Sequence, residues 1–419
     1  MGSKYPPSMR RCLPPWTLML EAALVVIFFF FTSYDTSSQD PLKELMRTFR
    51  VFQDVTIMAA VGFGFLNSSL RRYGWSSVAF NLFLLALGVQ WAVLMDGFLD
   101  LHFQNKVVIK LSRIKLATMS AMSVLISVGA VLGKTNLLQL TLMALVEVTV
   151  FVTVMMIGRH YLTVEAHVSM MHIHVFATYF GLMVAWFLSR CLNERVVQEK
   201  TQTEKRSSLF TMLGSLFLWI FWPSFNSALL DSPTERRNAV FSTYYALAAS
   251  TVTAISVSVL ADSERKINMT HIHNAVLAGG VAVGASCHLI TSPWLAMVLG
   301  LMAGLISIGG ALCLPGYFNQ VLGTHDTCGV HYTFGLPGLL GGITYILLII
   351  YEVNWTTKSM MGIQLFFCAG TLSLAMASGL IAGVLTGLVL SLKIFKSPPA
   401  AKHFDDQAFW EFPHLATGF

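Results

Sequence analysis

Apolar residues in this chain fall in long runs, separated by short polar stretches. The runs are Trp16 to Thr32, Val51 to Leu66, Trp75 to Met95, Ile114 to Leu132, Leu137 to Ile157 and Met171 to Leu188. They continue with Leu209 to Ala228, Val240 to Leu260, Asn274 to Ile290, Trp294 to Leu314, Gly335 to Tyr351 and Ile363 to Leu392. A helix needs about 20 predominantly apolar residues to cross the hydrocarbon of a bilayer. The pattern therefore predicts an all-α polytopic membrane protein of about twelve transmembrane helices. The first run follows Lys4, Arg10 and Arg11, with no small-residue cleavage site after it, and reads as a retained signal-anchor helix. Three regions result: an N-terminal segment 1–15, a transmembrane domain 16–392 and a C-terminal tail 393–419.

The polar stretches set the orientation. An even number of spans puts both termini on one side, and the larger share of the 27 Lys and Arg then falls on that side. This predicts cytoplasmic termini. The most charged inner loop is 190–208. Composition narrows the class further. Of 419 residues 55% are hydrophobic and only 11% charged, against roughly 25% charged in soluble domains, which excludes an ordinary soluble enzyme. The net charge of +6 is scattered between spans and forms no basic stripe for nucleic acid. Gly379, Gly383 and Gly387 repeat on one helix face, as do Gly280 and Gly284, and small faces let helices approach closely in lipid. Met171-His172-Ile173-His174 echoes the stretch Met269 to His273, and Val330 to Leu336 echoes Ile173 to Leu182, a faint sign of internal repeats.

Candidate chemistry comes from polar groups inside spans, which are functional candidates by default. His172 and His174 open one span, but two residues apart on a helix their rings point to different faces. No Cys or carboxylate completes a recognisable metal motif, so no metal is expected. Glu21 and Glu147 lie in apolar runs and must pair, hydrogen-bond or carry a proton. Cys12, Cys191 and Cys313 fall at inner ends of spans, where palmitoylation or a plain reduced thiol are both open. Of three glycosylation sequons, only the one at Asn354 falls outside. There is no nucleotide cradle, nucleophile elbow or catalytic carboxylate pair, so neither an enzyme nor a cofactor is expected.

Three motifs carry a resemblance. Trp222-Pro223-Ser224-Phe225-Asn226-Ser227-Ala228, the stretch Asn274 to Gly284, and Asp326-Thr327-Cys328-Gly329-Val330-His331 with Phe334-Gly335-Leu336-Pro337-Gly338 resemble the Rh branch of the Amt/Mep/Rh ammonium transporters. The resemblance covers essentially the whole chain. It implies a trimer of bundles with inverted repeats, each enclosing a narrow apolar pore lined by two histidines and covered by a pair of phenylalanines. Carried over by motif, His174 matches the first pore histidine, while the second falls on Phe334. One gate aromatic matches Phe225 and the other falls on Val128. The acidic residue ahead of the first histidine falls on Ala166, with Glu165 beside it. A phenylalanine at 334 cannot relay a proton, so the expectation is an impaired pore.

The stretches Met1 to Trp16, Trp75 to Trp91 and Phe404 to Phe419 resemble the red-cell members of that branch. That likeness implies the erythroid plasma membrane, and a complex with the Rh-associated glycoprotein and other Rh subunits. It also implies attachment to the ankyrin–spectrin skeleton, with Phe404, Asp405 and Asp406 as the ankyrin contact or as a solvated tail. The alternatives are an autonomous ammonia or carbon dioxide channel that needs only His174, and a proton-coupled carrier using Glu21 or Glu147.

Overall fold

The computed structural model describes residues 12–35, 42–70, 72–100, 106–189, 205–317, 323, 325–352, 358–395, 397–398 and 403–410. Twelve helical segments follow in order: α1 (Leu13–Phe31), α2 (Leu42–Leu66), α3 (Gly74–Phe98), α4 (Leu111–Val131), α5 (Leu137–His160) and α6 (Ala166–Ser189). Then come α7 (Lys205–Ser227), α8 (Pro233–Ala261), α9 (Met269–Val283), α10 (Pro293–Tyr317), α11 (His331–Tyr351) and α12 (Lys358–Leu390). Among the described residues, 11 of these are long and apolar enough to cross a membrane.

The exception is α9. The sequence pattern predicts a full span over 274–290, but α9 has only 15 residues and the backbone over 284–290 proceeds in tight turns. Irregular backbone at membrane depth is tolerated only where protein supplies its partners. Here α8 and α6 do so. Ser242 donates to the carbonyl of Cys287 at 2.8 Å, Asn238 Nδ2 to that of His288 at 3.3 Å, and His167 Nε2 to that of Gly284 at 2.9 Å.

Helix boundaries follow from local chemistry. Pro14 and Pro15 lie in the first turn of α1, where a missing N–H is harmless. Asn136 and Gln139 form a reciprocal capping box at the start of α5. Among the described residues, two segments are π-helical: Met58–Gly62 within α2 and His331–Gly335 at the start of α11. A short parallel ribbon, β1 (Thr32–Tyr34) with β2 (Val107–Ile109), ties α1 to the α3–α4 connection, with Thr32 opposite Val107. We call its side of the bundle the ribbon end and the opposite side the tail end.

The centre of the bundle is α4, of whose apolar window 89% is buried, against 11% for the peripheral α1. α6 lies along α12 and against α4, and α8 lies along α10. The glycine stripe of α12 explains the first contact. A Cβ at Gly379 would stand 2.6 Å from the carbonyl oxygen of Phe176, and one at Gly383 2.5 Å from that of Phe180. Gly280 does the same for the core, where a Cβ would meet the Trp222 indole at 2.8 Å.

Candidate functional site: an aromatic column through the bundle

Four buried rings from three helices meet where the family motifs place a pore. His174 stands in the first turn after a break in α6, between Met171 and Ile173. Its Nδ1–H donates to the carbonyl of Met171 at 3.1 Å, which leaves Nε2 as the ring's acceptor. Trp222 and Phe225 come from α7 on either side of Pro223, and Phe334 from the π-helical turn of α11.

The ring of Phe334 lies nearly parallel to His174, with centroids 6.1 Å apart and planes at 10°. Trp222 is 5.9 Å from His174 at 18°, and 6.5 Å from Phe334 at 16°. Phe225 meets His174 edge-on at 6.0 Å. A fifth ring, Phe63, follows the π-helical turn of α2 and stacks on Phe334 at 5.8 Å. All five rings are at most 2% exposed. Centroid spacings of this size are ordinary aromatic contact, so the five rings pack on one another. π-Helical turns rotate side chains out of the α-helical register and recur at functional sites. Here both of them deliver a member of the Phe63–Phe334 stack.

Of the sequence-stated pore residues, the structure brings His174, Phe334 and Phe225 together. Val128 requires a correction. On α4, Lys115 reaches the ribbon end, where its Nζ donates to the carbonyl of Ala228, three residues beyond Phe225. Val128 lies about 13 residues further along, roughly 20 Å at the helical rise. Its neighbour Gly129 packs against Val330 and Cys328. Val128 therefore cannot share a mouth with Phe225.

At the ribbon end, a cavity of about 520 Å³ is lined by Arg47, Asp96, Asp100, Arg113, Arg159 and Ala166, among others. Arg113 pairs with Asp100 at 3.3 Å and with Asp96 at 3.7 Å, and Arg159 with Asp96 at 3.5 Å. Ala166 thus lines this cavity where the motif register calls for an acid. Glu165 instead approaches His288, its Oε2 3.4 Å from Nε2. Burial, with Glu235 nearby, holds the Glu165 carboxyl above its ordinary range.

At the tail end, the loop before α11 closes against α4. Asp326 accepts N–H bonds from Gly329, Val330 and His331 at 2.9 to 3.1 Å. Cys328 N donates to the carbonyl of Gly129 at 2.9 Å. Lys134 Nζ donates to the carbonyls of His325 and Ala130 and to Ser189 Oγ. Burial pushes the Lys134 ammonium down to about 7, against the opposing pull of Asp326 and Cys328.

Glu147 is fully buried, and its Oε2 accepts a 2.5 Å bond from Ser127 on α4. Glu21 is exposed on α1 and lies 3.5 Å from Gln90 Nε2. Cys12 is half-buried and Cys313 exposed. Cys191 and Asn354 lie outside the described residues.

The tail trio is not a solvated segment. Phe404 is buried against Gly133, and its N–H donates to the Gly133 carbonyl. Both carboxylate oxygens of Asp406 cap the start of α3, accepting from Trp75 N at 2.8 Å and Ser76 N at 2.9 Å. Only Asp405 stays partly exposed. A contact with another protein through Phe404 or Asp406 would require the tail to leave this position.

Of the five rings, the sequence motifs point to His174, Phe225 and Phe334 and contain Trp222 without a role. They miss Phe63, because α2 carries no motif match. They also miss a cluster at the ribbon end, His167 with Cys287 and His288, whose members lie 120 residues apart in sequence.

A bundle of this topology, with these three motifs around its central rings, defines the class. The chain belongs to the Ammonium Transporter Family, which matches residues 16–406. It is 62% identical to an RH-like protein of Macaca mulatta and 60% identical to the blood group Rh(D) polypeptide of Homo sapiens, in each case over the full length of both chains. Among solved structures it is similar to Rh50 of Nitrosomonas europaea, at 30% identity and a TM-score of 0.74, over 90% of this chain and 94% of that one. That structure is described with a mechanism of conduction by the Rhesus protein family of channels. Mep2 of Saccharomyces cerevisiae shares the fold at 16% identity, with a TM-score of 0.67 over 88% of this chain and 92% of that one.

Proposed function

We propose that this chain is a subunit of an oligomeric Rh complex in the erythroid plasma membrane, with its own pore impaired for ammonia. The observation that carries this reading is the ring column: Phe334 lies flat beside His174, where the family places a second imidazole. A phenyl group neither donates nor accepts a proton, so ammonium entering from the ribbon end finds no relay partner for His174 Nε2. The alanine at 166 further weakens recruitment, since the carboxylates of Asp96 and Asp100 that line the same cavity are already paired with Arg113 and Arg159. Burying a bare cation in such a dry channel is strongly unfavourable, which leaves only slow passage of the neutral gas. The class of activity is transport rather than catalysis.

In this reading the chain assembles as a trimer, alone or with the Rh-associated glycoprotein. Residues 1–15 and 393–419 face the cytoplasm, and the ribbon end faces outward. Cys12, Cys191 and Cys313 are its palmitoylation candidates. Attachment to ankyrin would use the tail around Asp405, or follow release of Phe404 and Asp406.

A second reading is favoured by one specific observation. His174 keeps its Nδ1–H bonded to Met171 and its Nε2 as an acceptor, a state in which one histidine could pass ammonia or carbon dioxide unaided. Proteoliposomes carrying this chain alone, or its Phe334→His variant, separate the two. Internal pH is followed by stopped-flow fluorescence after an ammonium pulse. Wild type at the rate of empty vesicles, with faster alkalinisation in the variant, supports the impaired subunit. Wild type well above empty vesicles supports the single-histidine channel and overturns the first reading.

A further inference from the structure

We propose that His167, Cys287 and His288 form a site for a zinc-class divalent cation at the ribbon end, with Glu165 as the fourth ligand. The proposal is independent of whether the pore conducts. The three residues are all buried, and one donor atom from each lies within 4.8 Å of the others.

Two of the spacings match a tetrahedral cation. Zinc binds thiolate at about 2.3 Å and imidazole at about 2.0–2.1 Å, which puts sulfur and nitrogen ligands about 3.5 Å apart. Cys287 Sγ is 3.5 Å from His167 Nε2. An imidazole and a carboxylate oxygen on the same ion would be separated by about 3.3–3.4 Å. His288 Nε2 is 3.4 Å from Glu165 Oε2. A set of two nitrogens, one sulfur and one oxygen suits zinc and its neighbours, and disfavours calcium or magnesium, which take all-oxygen shells.

The polar accounting points the same way. His167 Nδ1 and both nitrogens of His288 are buried without a hydrogen-bond partner. Buried polar groups in native proteins are nearly always paired, and a cation on His288 Nε2 would supply the partner that this lone pair lacks. On binding, the Cys287 thiol releases its proton to water, and the thiolate and the imidazole lone pairs supply the ligand electrons. His167 binds through Nε2, the atom at the matching distance, by giving up its bond to the Gly284 carbonyl. Access runs past Glu165, whose side chain is 60% exposed, whereas that of His288 is 3% exposed.

The place of the site gives it a consequence. Glu165 and His167 stand at the start of α6, and Cys287 and His288 in the irregular stretch after α9. Cys287 Sγ also lies 3.8 Å from the carbonyl oxygen of Asn226, the residue after Phe225. A bound ion would pin these segments together beside the aromatic column.

The test uses the purified full-length protein in detergent. Zinc is titrated against a chromophoric chelator, and cobalt(II) is added separately as an optical probe. The expected result is one zinc per chain and a near-ultraviolet thiolate-to-cobalt charge-transfer band. Cys287→Ser should abolish the band and weaken zinc binding at least 100-fold. Glu165→Gln, a change at the exposed edge that leaves folding intact, should weaken it about tenfold or more. His160→Ala, an exposed histidine outside the cluster, should change neither. Absence of stoichiometric zinc binding overturns the proposal. So does zinc binding that neither Cys287→Ser nor Glu165→Gln alters.

Discussion

Gly133 and Phe404 are both held in the left-handed backbone region, at φ 81° and 57°. The phenyl ring of Phe404 lies against the Gly133 Cα, so that any Cβ there would overlap it. An L-residue costs about 1–2 kcal/mol in this region, and the overlap adds about 1–3 kcal/mol. Gly133→Ala should therefore release the tail. Protease sensitivity near residue 404 should rise and the melting temperature in detergent should fall, whereas Gln407→Ala, at an exposed position, should leave both unchanged.

Lys134 supplies a pH dependence. Its folded value of about 7 lies below the ordinary lysine value of 10.5. Between those limits the unfolded chain binds more protons than the folded one, so stability rises with pH through this window. Below about pH 7 both states are protonated and the contribution is flat. Melting curves of wild type and Lys134→Met should therefore diverge in favour of wild type as pH rises from 7 to 9. A constant difference would refute the assignment. Neither residue was legible as special in the sequence. Gly133 and Lys134 sit in a short polar gap between two spans, and only the fold shows that a segment some 270 residues later closes over them.

The elements show where hydropathy succeeds and where it fails. Eleven spans were legible because length and apolarity are what a bilayer demands, and both are written in the residues. α9 was not, since a short helix and a folded stretch buried by their neighbours have the same apolar composition as a full span. The π-helical turns were equally silent, and with them the placing of Phe63. The glycine stripe of α12 was legible as a packing face, and the structure supplies its partner, α6. Gly383→Leu should force these helices apart at the carbonyl of Phe180. We expect loss of the monodisperse peak in size-exclusion chromatography, while Gly309→Leu, which faces open space, should keep it.

For the whole molecule, the sequence motifs gave the family and the neighbourhood of the central rings. They misjudged Val128, because matching short apolar strings does not fix how far along a helix a residue stands. Assembly belongs to this scale too. Exposed apolar side chains such as Leu301, Leu305, Phe366 and Ile381 cover the outer surface, and lipid or a second subunit can bury them equally well. In mild detergent we expect native mass measurement to give three chains per particle. A single chain per particle would overturn the trimer.

The capping of α3 by Asp406 has a consequence for the order in which the protein is made. Trp75 and Ser76 leave the ribosome some 330 residues before the carboxylate that accepts their N–H groups. Until then the tail-end surface of α3 and α4 stands incomplete, with the hollow at Gly133 open and the Asp406 cap missing. The last stretch to be synthesised thus certifies the first half of the bundle. A chain interrupted shortly before residue 403 would insert every span and still present an unfinished surface to cellular quality control.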